Sequence, residues 1–130
     1  TNFEAEVMRL TNGEGVNVAY DSVGNDTMAR TITSTKRRGT IIAFGQSSGP
    51  YTDFKITDLS KGSYYLSRPT LFHFVGDRSW LDTASVKLFK AVTDGTINVS
   101  INQRFALEDV AKAHEALTGR ATTGCTILTV

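Results

Sequence analysis

Several features are scarce in this chain, and each scarcity excludes a class of protein. Only one cysteine, Cys125, stands among 130 residues. No intrachain disulfide can form, and the cysteine usage suits a reducing compartment, so cytoplasm is the expected location. The two histidines, His73 and His114, share no ligand-type spacing with Cys125, so no metal, and no zinc in particular, is expected. Ser48 and Ser63 lack a G-x-S-x-G context, Ser47 falls in a stretch read as a polar loop with no base constellation beside it, and Cys125 falls in a strand expected to be buried. Covalent catalysis is therefore not expected. No apolar run approaches bilayer length, and Thr1 to Arg9 lacks the basic start and apolar centre of a signal peptide, so a soluble protein with no membrane partner is expected. The net charge of +1 leaves no electrostatic footprint for nucleic acid. The one basic cluster, Lys36-Arg37-Arg38, reads as the last turn of a helix, favoured by the dipole there. Finally, no G-x-G-x-x-G occurs, so the phosphate-gripping turn of a complete dinucleotide fold is missing.

What is present is an α/β pattern. At 40% hydrophobic residues, the chain can bury one modest core, and residues 1–130 are expected to form a single domain. Phe3, Val7 and Leu10 share a helical face that stops at Thr11-Asn12-Gly13. Val16 to Val23 is a β-branched run of buried-strand type, followed by a predicted helix from Asp26 to about Arg37, a turn at Gly39 and a strand from Thr40 to Phe44. Strand, helix and strand joined by short glycine connections point to a βαβ crossover and a parallel sheet. Gln46 to Pro50 reads as a polar loop, Thr52 to Lys61 as irregular or weakly helical, and Ser63 to Arg68 as a strand stopped by Pro69. Asp77 to Asp94 carries Trp80, Leu81, Ala84, Leu88, Ala91 and Val92 at helical spacing and ends on Gly95, predicting a helix that covers a sheet face. An extended piece from Ile97 to Phe105, a helix from Leu107 to Leu117 and a terminal strand from Cys125 to Val130 complete the pattern. His114 is expected to pack on the apolar face of its helix, and His73 to lie in a loop. Two strands, ending Tyr20-Asp21-Ser22-Val23-Gly24 and Ile41-Ile42-Ala43-Phe44-Gly45, deliver small residues to their carboxyl ends. Open parallel sheets bind ligands at that edge.

Five ordered motifs carry a family resemblance: Tyr-Asp-Ser-Val-Gly, Phe-Gly-Gln-Ser-Ser-Gly, Lys-Gly-Ser-Tyr-Tyr-Leu-Ser-Arg-Pro-Thr-Leu, Ala-His-Glu-Ala-Leu and Arg-Ala-Thr-Thr-Gly. Together they resemble the carboxyl-terminal part of the quinone oxidoreductases, the zinc-free branch of the medium-chain dehydrogenase/reductases that includes zeta-crystallin. The resemblance implies a partial Rossmann-type parallel sheet flanked by helices. It also implies an NADPH-dependent reductase of quinones or activated alkenes (enals and enones). The amino-terminal GroES-like domain and the first half of the Rossmann domain, with its glycine-rich turn, would lie outside this chain, and the chain alone would be inactive. The choice of NADPH over NADH rests on the resemblance alone.

Carried over position by position, the resemblance places Val23, Gly24 and Asn25 at a strand end beside the ribose and nicotinamide of the cofactor; the alternative is a plain strand end. Phe44, Gly45, Gln46, Ser47 and Ser48 would form a second wall, against the alternative of a polar loop. Pro69, Thr70 and Leu71 would present backbone groups to the nicotinamide carboxamide, and the proline serves equally as a strand stop. Arg120 either reaches the cofactor as a late basic residue or is a solvated arginine at a helix end. No catalytic residue is named, because the cofactor supplies the hydride in this chemistry. The resemblance also implies a homodimer through the edge strand Ser63 to Arg68. A non-catalytic dimerisation or half-site module, with no cofactor binding of its own, is the alternative function.

Overall fold

The computed structural model describes residues 2–130. The chain divides into two compact units, Thr1–Phe74 and Val75–Val130. In the first, α1 (Phe3–Leu10) is capped by the Asn2 side chain, which accepts from Ala5 N–H. It is followed by β1 (Val16–Asp21), α2 (Met28–Thr33), β2 (Thr35–Ala43), a 3-10 helix over Ile56–Lys61, and β3 (Tyr65–Ser67). The three strands form one parallel sheet in the order β1-β2-β3. A short α3 (Phe72–Val75) spans the boundary between units. The second unit carries α4 (Arg78–Thr93), β4 (Ile101–Ala106), a 3-10 turn over Leu107–Asp109, α5 (Val110–Thr118) and β5 (Cys125–Thr129). There β4 and β5 pair in parallel as a separate two-stranded sheet.

The core of the first unit is where α2 meets β2. Met28 and Ile32 from α2 pack on Ile41 and Ala43 from β2, and Tyr51, Phe54 and Tyr64 close over them half-buried. Ile41 is fully buried, and burying a side chain of that size contributes about 1.5–3 kcal/mol. Alternation along β2 sends Ile41 and Ala43 to this face and leaves Thr40 and Ile42 half-buried on the other.

Several expectations are corrected. The predicted helix from Asp26 to Arg37 is far shorter, because Thr33, Ser34 and Thr35 end it. The Ser34 and Thr35 hydroxyls donate back to Arg30 O and Thr31 O, which competes with helix propagation. The basic cluster is consequently not a helix end but part of β2. Val16 pairs with Thr35 and Val18 with Thr40, so Lys36–Gly39 are looped out opposite Asn17. Lys36 pairs there with Glu14 at 2.5 Å, and Arg38 takes a left-handed φ of 60° while its N–H donates to Gly62 O at 2.7 Å.

β1 is not buried on both faces: Val18 and Tyr20 are exposed, because α2 covers only the other side of this three-stranded sheet. The edge strand is three residues long rather than six, with Ser63 in a left-handed turn before it. α4 matches its predicted span, but none of its residues is buried, since its unit holds only a two-stranded sheet. His114 and Cys125 are exposed, and His73 lies within α3.

Candidate functional site

The carboxyl ends of the three parallel strands lie at one edge of the first unit's sheet. β1 ends at Asp21 and delivers Val23, Gly24 and Asn25; β2 ends at Ala43 and delivers Phe44, Gly45, Gln46, Ser47 and Ser48; β3 ends at Ser67 and delivers Pro69, Thr70 and Leu71. All of these residues are thus brought to one edge. Arg120 belongs to the second unit, exposed on the turn after α5, with φ 54° and its N–H donating to Leu117 O at 3.1 Å.

Hydrogen bonds tie the first two turns to each other. Ser48 N–H donates to Val23 O at 2.8 Å, and the Ser48 hydroxyl donates to the same oxygen at 2.7 Å while accepting from Asp26 N–H at 3.0 Å. Asn25 N–H donates to Gly49 O at 3.0 Å, and Ser47 N–H to Ser22 O at 3.3 Å. The turns pass so close that only glycine fits. A Cβ on Gly24, which holds φ at 89°, would lie 2.5 Å from Gly49 O. One on Gly45 would collide with the Ser22 carbonyl oxygen.

Beside this edge is a cleft of about 200 Å³ lined by Gly24, Ala43, Gly45, Gln46, Tyr51 and Leu66, among others. Arg68 is the one charged residue in its lining, and its guanidinium donates to Pro69 O at 3.1 Å. The side chains of Asn25, Gln46, Ser47 and Thr70 bond to no other described residue, so their donors and acceptors are open to a ligand. Phe44 adds an aromatic face that is 51% exposed.

Sequence reasoning passed over Asp21 as a site residue. The residue is 3% exposed, and its carboxylate accepts four hydrogen bonds. Val23 N–H (2.9 Å) and Gly24 N–H (2.8 Å) donate to Oδ1, while the Thr27 (2.8 Å) and Thr31 (2.7 Å) hydroxyls donate to Oδ2. Burial pushes its pKa up, but the bonds from Thr31, Gly24, Thr27 and Val23 outweigh burial and hold the carboxyl below the ordinary value. The available signal was the spacing of Asp21, Thr27 and Thr31 across a strand end and the first turns of a helix.

The family described as zinc-binding dehydrogenase matches residues 1–128. The chain belongs to that family. It is 42% identical over 125 residues to a quinone oxidoreductase of Salmonella typhimurium, which covers 94% of this chain and 38% of the relative. It is 39% identical over 127 residues to a 2-haloacrylate reductase of a Burkholderia species, covering 95% and 38%. A crystal structure of the Escherichia coli quinone oxidoreductase complexed with NADPH superposes with a TM-score of 0.88 at 37% identity, over 98% of this chain and 40% of that one. The chain therefore spans about two-fifths of the length of the relatives it matches, and it is similar to the carboxyl-terminal part of a quinone oxidoreductase. The parallel sheets flanked by helices are those of this family.

Among the described residues there is no group of three or more His, Cys, Asp or Glu that could hold a metal ion. A nicotinamide nucleotide does fit their chemistry. The sheet edge offers open amide and hydroxyl groups on Asn25, Gln46, Ser47 and Thr70, and an exposed aromatic ring. No helix among the described residues is long and apolar enough to cross a membrane.

Proposed function

We propose that this chain forms the nicotinamide-side half of an NADPH-dependent, zinc-free oxidoreductase of quinone-reductase type. In the full-length protein it would serve hydride transfer to quinones or activated alkenes such as enals and enones. The observation that carries this reading is the convergence of three parallel strand ends on one edge, where backbone hydrogen bonds tie the first two turns together and leave the side chains of Asn25, Gln46, Ser47 and Thr70 unbonded. Quinone oxidoreductase relatives and a neighbour solved with NADPH support it. NADPH supplies the hydride when bound. The contribution of this chain is orientation: amide and hydroxyl groups on the β1 and β2 turns fix the ring face, the 69–71 segment offers backbone groups to the carboxamide, and Phe44 excludes water beneath.

The full-length protein is cytoplasmic and homodimeric, pairing through the edge strand within Ser63 to Arg68. Tyr65 and Leu66 are exposed on that strand in the single chain, and its outer edge has no strand partner among the described residues. The same exposure favours a second reading, a dimerisation module that binds no cofactor alone. Calorimetric titration of NADPH separates the two, run on this chain and on a version extended at its amino terminus to the length of its relatives. Binding by the extended protein is expected; binding by neither form would refute the cofactor site.

A further inference from the structure

We propose that Asp21 is the positioning residue of this edge, setting both turns that would hold a cofactor although its carboxylate does not line the cleft between them; the role in cofactor binding rests on the function proposed above. Six hydrogen bonds converge on this residue. Four reach the carboxylate, two from the amides of the β1 turn at Val23 and Gly24 and two from the hydroxyls of Thr27, the residue just before α2, and Thr31 within it. The remaining two reach its carbonyl oxygen from the β2 turn, Phe44 N–H at 2.9 Å and Gly45 N–H at 3.2 Å. One residue thus joins the end of β1, the start of α2 and the end of β2.

The choice of a carboxylate is informative. A buried carboxylate is ordinarily matched by a cation, yet no salt bridge reaches Asp21 among the described residues. Its surroundings consist instead of neutral donors aimed inward, and an acceptor-only group is the one that satisfies all of them at once. Such an arrangement fixes direction more than it adds attraction. The Gly24 amide is held at the bend where a left-handed φ turns the chain, and the β2 turn is held against it through the backbone. Asn25, Gln46 and Ser47 hang from these two turns, so their aim depends on Asp21 even though it touches none of their side chains.

The test is amide hydrogen exchange on this chain, together with NADPH affinity in whichever form binds it, for Asp21→Leu, Asp21→Asn, Thr31→Val and the core control Ile32→Val. Asp21→Leu orphans two amides and is expected to speed exchange at Val23, Gly24, Gly45 and Ser48 by about tenfold relative to Ile41, and to weaken NADPH by a similar factor. Asp21→Asn should recover most of both, because the threonine hydroxyls can turn from donors to acceptors. Should Asp21→Leu fail to fold, Thr31→Val, which removes one donor of four, is expected to loosen Gly24 by about threefold. Ile32→Val should speed exchange evenly across the unit and leave NADPH affinity unchanged. Even acceleration in the Asp21 and Thr31 variants, or equal loss of NADPH affinity in Ile32→Val, would overturn the proposal. If no form of the parent binds NADPH, the proposed function fails, and the exchange pattern alone decides the positioning role.

Discussion

Replacing Gly45 with alanine is the sharpest test of how the two strand ends are built. The new Cβ would overlap the Ser22 carbonyl oxygen and lie 2.8 Å from Ser22 Cα and 2.9 Å from Ser22 C. All three are backbone atoms, so no side chain can rotate away. Ordinary contact begins at 3.4 Å, so Ser22 Cα would have to retreat by about 0.6 Å. The bonds that span this gap are already long: Gly45 N–H to Asp21 O at 3.2 Å and Ser47 N–H to Ser22 O at 3.3 Å. Such a retreat would break both. Two lost hydrogen bonds at about 1 kcal/mol each, plus overpacking strain of about 1 kcal/mol or more, exceed the gain of about 0.4–1 kcal/mol from a stiffer unfolded chain. The net expectation is a loss of about 2–3 kcal/mol, which lowers the urea midpoint by about 1–2 M at an unchanged slope. Urea unfolding followed by far-ultraviolet circular dichroism, with amide exchange at Ile41 to report on the first unit, measures it. Ser47→Ala serves as control, because the Ser47 hydroxyl has no partner among the described residues and should matter by less than about 0.5 kcal/mol. A Gly45→Ala loss no larger than that of the control would show that the strand ends are not in the close contact on which the argument depends.

Three further outcomes are expected. Ser48→Ala removes the hydroxyl that bridges Val23 O and Asp26 N–H and should destabilise the first unit by about 1–2 kcal/mol, read as faster exchange of the Asp26 amide. Asp77 caps α4 by accepting from Ser79 N–H at 2.9 Å and Trp80 N–H at 3.3 Å, so Asp77→Ala should shift the local helix equilibrium by about fivefold towards coil, seen as lost ellipticity at 222 nm. The third concerns acid. The folded pKa of Asp21 lies below its ordinary 3.8, so the stability it confers is fully present above that value and is lost as pH falls through the lower folded value. Asp21→Asn should flatten this part of the acid limb; an acid limb identical to that of the parent would show that the carboxylate is not held as described.

The β1-α2-β2 order and the parallel sheet were legible because β-branched runs and glycine turns alternate at the spacing of a crossover. Element ends were less legible where side chains compete with the backbone. Thr33, Ser34, Thr35 and Lys36 read as the continuation of a helix, yet the hydroxyls of the middle two cap the carbonyls of Arg30 and Thr31, and Lys36 is held in the loop beside β1 by Glu14. Burial was legible only on the face that α2 covers. Val18 and Tyr20 carry the composition of a buried strand, yet both are exposed among the described residues. Residue type reveals that a side chain can be buried; only the neighbours decide that it is.

The two glycines at the centre of the site bear on how such edges should be read. A sequence with glycine at both strand ends suggests a backbone kept bare for a flat ligand. In this chain the requirement is already met without one: Gly49 O stands where a Gly24 Cβ would be, and the Ser22 backbone where a Gly45 Cβ would be. The bare positions let one turn pass against the other, and the hydrogen bonds of Ser48, Asn25 and Asp21 use that proximity. On the function proposed above, frame and contact would fall to different residues. Glycines, Asp21 and Ser48 make the frame, with their hydrogen bonds made internally, while the side chains of Asn25, Gln46 and Ser47 remain unbonded. Binding free energy depends on how little a site must reorganise, so substitutions in the frame should weaken a ligand without touching it, and substitutions at the contacts should weaken it without loosening the fold.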